Sequence, residues 1–119
     1  MTSKIKEVFS NIKAQKRKAL ITYIVSGDPD TETTIEIMNS MVQQGTDIIE
    51  LGIPFSDPMA EGISIQKGHE RALAKGASLT GTFELLKKFR TNDKKTPIVF
   101  MGYMNTFESL GAKQFMSEA

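Results

Sequence analysis

Apolar and polar positions along the chain repeat with two different periods, and they predict helices and strands in turn. Near the N-terminus Ile5, Val8, Phe9 and Ile12 fall at i, i+3, i+4 and i+7, one apolar stripe of a short helix. Lys16, Arg17 and Lys18 follow as a basic segment and read as a solvated connection. Residues 19–25 are β-rich and mostly apolar, as suits a buried parallel strand. Ser26, Gly27, Asp28, Pro29 and Asp30 end that run with turn chemistry. A helix is predicted from Thr31, with Asp30 as its N-cap, Ile35, Met38, Met41 and Val42 facing inward, and Gly45 at the left-handed position beyond its end.

Residues 48–53 predict a second strand. A long loop with Pro54 and Pro58 separates it from a helix predicted over 64–75 that ends at Gly76. Leu79, Phe83, Leu86 and Phe89 mark a further helix, whose first turn Gly81 weakens. Residues 97–101 predict a third strand, and a last helix is expected from near Glu108 to Ala119. Apolar strands joined by helical crossovers signify an α/β protein with a parallel sheet. Doubly wound sheets and (β/α)8 barrels both fit this order. A barrel takes ~250 residues and eight strands, whereas three strands are legible here. The last helix carries no Gly, Asn or Pro stop signal. Residues 1–119 therefore read as a single N-terminal portion of a larger α/β fold, an initial helix and about three β/α units, truncated in or after the third helix. Such a piece would leave an unpaired strand edge and uncovered apolar faces, which predicts self-association or partial disorder unless another chain completes the core.

Composition narrows the function. The 119 residues allow one ordinary domain. At 39% hydrophobic and 24% charged residues, the chain is globular in type, not disordered and not membrane-spanning. A formal charge of +1 argues against a protein built mainly to bind nucleic acid. With no cysteine, disulfides and thiolate chemistry are excluded. The first residues include Lys4, Lys6 and Glu7 and no apolar core of signal-peptide length. No apolar run approaches the ~18 residues of a membrane span, so a cytoplasmic location is expected.

Glu50 is the unusual residue, because it interrupts an apolar strand near its C-terminal end. Barrel enzymes place catalytic groups at that end. Partial desolvation there suits a group that must give and take a proton. The competing reading is structural: an outward-facing Glu, or one paired with a Lys on a covering helix. Glu61, in the loop that also carries Pro54, Asp57 and Pro58, offers a second carboxylate to the same cleft. Two prolines and an Asp suggest a loop of restricted conformation, fit for docking or gating.

The run Glu50-Leu51-Gly52-Ile53-Pro54-Phe55-Ser56-Asp57-Pro58, continuing through Ala60, Gly62, Ile65 and Gln66, resembles the signature segment of tryptophan synthase α subunits. Ser26-Gly27-Asp28-Pro29 and Met101-Gly102-Tyr103-Met104-Asn105 stand in the order and approximate spacing of that family. The resemblance implies a (β/α)8 (TIM) barrel lyase of tryptophan biosynthesis. Its reaction is the retro-aldol cleavage of indole-3-glycerol phosphate to indole and glyceraldehyde 3-phosphate. It further implies that Glu50 is the acid/base and that Glu61, where the family has Asp, engages the indole N–H. Tyr23, Ile65, Met101 and Tyr103 match pocket positions. The loops with Pro54, Asp57 and Asn105 would face the β subunit of an α2β2 complex, which receives indole and holds the pyridoxal phosphate. The α subunit has no cofactor of its own. Two departures bear on the site: Glu61 is a methylene longer than Asp, and Ile63 stands where the family usually has Pro after the Gly.

The alternative function is a non-catalytic fragment that docks on the β subunit or modulates it. A third reading is another phosphate-substrate barrel with a similar strand–loop unit. His69, the single histidine, reads as a surface or packing residue, and without further His or Cys no metal site is expected. The seven methionines read as core fillers. No Gly-rich phosphate fingerprint occurs, and barrels commonly bind phosphate after strands 7 and 8. The isolated chain is therefore expected to be inactive or very weak.

Overall fold

A computed structural model describes residues 3–56 and 62–103. Several element termini can be traced to a local cause. Helix α1 (Lys4–Ala14) starts at Ser3, whose side chain accepts from the Lys6 N–H. Strand β1 (Ile21–Val25) begins two residues later than the apolar run that predicts it. Helix α2 (Thr31–Gln43) is capped by Asp30, as its sequence predicts: the carboxylate accepts from the Thr33 N–H at 2.7 Å. Beyond it Gly45 has φ +112°, a conformation that a side chain resists. Strand β2 (Ile48–Gly52) follows, then helices α3 (Ile63–Ala74) and α4 (Leu79–Arg90). Strand β3 (Ile98–Met101) starts after Pro97, which has no N–H to give a ladder but whose carbonyl accepts from Ile49 at 3.1 Å. The expected helix from Glu108 lies outside the described residues.

The three strands are parallel and lie in chain order, β1-β2-β3. Ile24, Ile49, Leu51, Ile98 and Phe100 share one face, by the alternation of a strand and the register of the pairs. That face packs on Met38 of α2 and Leu85 and Phe89 of α4. Burying Phe89 fully is worth roughly 1.5–3 kcal/mol. A second cluster, Ile53, Leu79 and Phe83, meets Phe100, whose ring stands edge-on to Phe83 at 5.4 Å. Strand order without reversal, with α2 and α4 on the same face, is the winding of a (β/α)8 barrel. The first half of a doubly wound sheet shares this winding and reverses only at its fourth strand, so these three strands alone do not select the barrel.

Two details depart from the expected pattern. In α4 the fully buried leucine is Leu85, and Leu86 is only half-buried, because the helix is wedged between sheet and α2 and so buries more than one stripe. In α1 only Ile12 of the apolar stripe is buried; Ile5 and Phe9 are 41% and 45% exposed. The link after α1 is held instead by charge. Arg17 forms a bidentate pair with Asp47 (2.7 and 3.0 Å), and Asp47 also accepts from the Leu20 N–H. The Arg17 hydrogen bonds hold the Asp47 carboxyl below the usual carboxylate range.

Candidate active site

The other face of the sheet carries the unusual carboxylate. Alternation places Ile21, Tyr23 and Val25 of β1 on it, and the register sets Tyr23 beside Glu50 and Val25 beside Gly52. On the far side, Val99 lies beside Glu50 and Met101 beside Gly52. Tyr23, Glu50 and Met101, three positions singled out in the sequence, thus lie on one surface near the C-terminal strand ends. Helices α2 and α4 lie behind the opposite face, and α3 reaches this one only at the Val25 end of β1; Val25 and Ile48 are buried, whereas Ile21, Val99 and Met101 are 50%, 39% and 47% exposed. Glu50 itself is half-buried. It makes no ion pair with a described residue, so the reading of a Glu tied to a Lys on a covering helix does not apply to them.

Gly52 makes room for Tyr23. A Cβ at Gly52 would overlap the Tyr23 hydroxyl and crowd its ring. The phenol therefore lies over the Gly52 backbone, leaning from the Glu50 row towards the open strand ends. This contact was not legible in the sequence, where Gly52 stands only as one residue of the apolar run.

The loop after β2 continues the site. Pro54 is buried and Phe55 half-buried. The Phe55 ring stacks on Tyr103, with centroids 4.7 Å apart and planes tilted by 31°, so the loops after β2 and β3 meet. The Phe55 N–H donates to Nδ1 of His69 at 3.0 Å. His69 is therefore a packing residue, as one of the two sequence readings had it, with a polar contact that its lone occurrence could not announce. Ile65, also on α3, is half-buried. Glu61, Asp57 and Asn105 lie outside the described residues.

The loop after β1 is pinned to α3. Arg71 makes a bidentate pair with Asp28 at 2.7 and 3.0 Å, and that hydrogen-bonded partner raises the guanidinium pKa. Inside the same loop, Ser26 and Thr82 share a buried hydroxyl–hydroxyl bond of 2.7 Å. Thr34 accepts from the Gly27 N–H at 3.1 Å. These bonds leave three loops in fixed relation around the open end of the sheet. Among the described residues no group of three or more His, Asp or Glu could hold a metal ion, and no helix is long and apolar enough to cross a membrane.

Comparison with known proteins gives this geometry a family. A protein-family model described as tryptophan synthase alpha chain matches residues 9–119. The tryptophan synthase alpha chain of Burkholderia mallei (strain NCTC 10229) is 50% identical over 117 residues, which are 98% of this chain and 43% of that one. The crystal structure of tryptophan synthase subunit alpha from Legionella pneumophila str. Paris superposes with a TM-score of 0.97 at 41% identity, covering 99% of this chain and 45% of that one. A chain of the tryptophan synthase a2b2 complex from the hyperthermophile Pyrococcus furiosus matches at 42% identity with a TM-score of 0.78, covering 85% and 40%. The solved relatives, and not the three strands alone, select the barrel over the doubly wound sheet. The chain spans less than half the length of these relatives. It belongs to the tryptophan synthase alpha chain family.

Proposed function

We propose that residues 1–119 supply the first part of an active site that cleaves indole-3-glycerol phosphate to indole and glyceraldehyde 3-phosphate, with Glu50 as the acid/base. The observation that carries the reading is the place of Glu50: a half-buried carboxylate beside Tyr23, on the sheet face opposite α2 and α4, two residues before the end of β2. In the first step a protonated Glu50 gives its proton to indole C3, while the ring N–H proton passes to Glu61, leaving an indolenine. In the second step the Glu50 carboxylate takes the proton of the side-chain hydroxyl next to the ring. The C–C bond then breaks, its electron pair returns to the ring, the hydroxyl carbon becomes the aldehyde, and Glu61 returns the proton to nitrogen. Both carboxyls end as they began, so the chemistry draws on no cofactor of this subunit.

Tyr23, Met101, Tyr103 and Ile65 line the indole side of the pocket in this reading. The loops with Pro54, Asp57 and Asn105 meet the β subunit, whose pyridoxal phosphate site takes the released indole. The relatives are more than twice as long, and the rest of the barrel would supply the phosphate site and the remaining wall. The 119-residue chain alone is accordingly expected to release no measurable indole. The test is indole release by the full-length protein and its Glu50→Gln variant. General acid–base catalysis is worth about 10²–10⁴-fold, so the variant should lose a factor in that range. Full rate in the variant removes Glu50 from the role.

A further inference from the structure

We infer that His69 is a positioning residue, a buried imidazole on α3 that fixes the loop after Glu50 by accepting the Phe55 amide; the inference rests on the lyase reading above. His69 is 1% exposed and lies on the inner side of α3 with Gly68 and Ala72, both buried. An amide N–H can donate only to a ring nitrogen with a free lone pair, so the 3.0 Å contact from Phe55 assigns the neutral imidazole, protonated on Nε2. An aliphatic side chain would fill this core position as well, but it would leave the Phe55 N–H without that acceptor.

The helix that presents the imidazole is itself anchored. A Cβ at Gly68 would press on Oδ2 of Asp28 (2.9 Å) and Cγ2 of Val25 (3.3 Å), so α3 lies tightly against the end of β1. One helical turn around, the Arg71–Asp28 pair clamps the same contact at 2.7 Å. His69 thereby refers the loop after β2 to a platform fixed on β1. Phe55 stacks in turn on Tyr103 after β3. Between Glu50 and Phe55 the chain runs through buried Leu51, Gly52, Ile53 and Pro54. A shift of Phe55 is therefore carried back along this buried run to β2, which holds the carboxylate.

The test uses the full-length protein, assayed with its β subunit, and three variants. Asn at position 69 can place an acceptor where Nδ1 stands; Gln places one at the distance of Nε2; Leu has none. In His69→Leu, the Phe55 amide should exchange with solvent faster while those of Ile49 and Leu51 keep their protection. Its kcat for indole release should fall by about ten- to a hundredfold, the scale of a small misplacement of a catalytic group, with a smaller change in KM. His69→Asn should recover most of both, and His69→Gln should not. If Leu at this position prevents folding, the Asn–Gln comparison decides. An unchanged Phe55 amide in the Leu or Gln variant overturns the pin. Faster exchange with unchanged kcat overturns the positioning role and leaves the lyase reading standing. A fully active wild type alongside a fully active Glu50→Gln variant defeats the acid/base reading instead, and the exchange pattern distinguishes that failure from this one.

Discussion

At the scale of single residues, Tyr23 approaches Gly52 more closely than Gly27, Gly68 or Gly81 is approached. Any side chain at Gly52 meets the phenol of Tyr23. Overpacking of this kind typically costs about 1–3 kcal/mol, and swinging the ring aside would relieve part of it at the expense of the pocket. Gly52→Ala should lower stability in urea melts, and the penalty should largely vanish in a Tyr23→Ala background. Equal penalties in both backgrounds would show that the contact is not the cause. Sequence reasoning reached Tyr23 and Glu50 separately, one through the family pattern and one as a charge in an apolar strand. It could not see Gly52 as the space that the phenol occupies, because close approach across strands depends on register.

At the scale of elements, the links between them are held by carboxylates with identifiable partners. Asp47 ties the segment before β1 to the turn before β2 through Arg17 and the Leu20 N–H. Its carboxyl is held below the usual range, first by the Arg17 hydrogen bond. A carboxyl depressed in the folded state stabilises it above the ordinary Asp pKa of about 3.9, and loses that contribution as pH falls through the folded value. The cap Asp30 is lowered in the same sense, by its hydrogen bonds from Thr33. Asp47→Asn should therefore be less stable than wild type near neutral pH, with the gap closing as acid protonates Asp47. Melting curves across that window check the sign; a gap that widens in acid would refute it. Element types were legible over the described residues, since period, the Asp30 cap and the stops at Gly45 and Gly76 agree. The half-exposed stripe of α1 was not, because periodicity shows which residues could be buried and not what covers them.

At the scale of the whole molecule, the described residues present one sheet face covered by α2 and α4 and one that is only partly covered. Ile21 and Val99 lie on the partly covered face, and so does Met101. Exposed apolar side chains gathered on one face favour association. The 119-residue chain by itself should sediment as species heavier than its 13.2 kDa monomer. Ile21→Lys together with Val99→Lys should shift it towards the monomer. A sharp monomeric boundary for the unsubstituted chain would argue against that face as a contact surface.

The amino-acid sequence by itself determined the helices and strands, the parallel α/β class and, through the segment from Glu50 to Gln66, the family. Those properties are local: they follow from period, capping and short-range motif. It left open whether the sheet is doubly wound or part of a barrel, and on which face Glu50 lies. Both depend on how the strands pair and where the helices pack. The register that sets Tyr23 beside Glu50, the helices gathered behind Ile49 and Leu51, and the imidazole of His69 held against the Phe55 amide are contacts between distant parts of the chain. Only the tertiary structure decides them, because a one-residue slip in pairing or a modest turn of α3 would preserve every local signal while changing which groups meet.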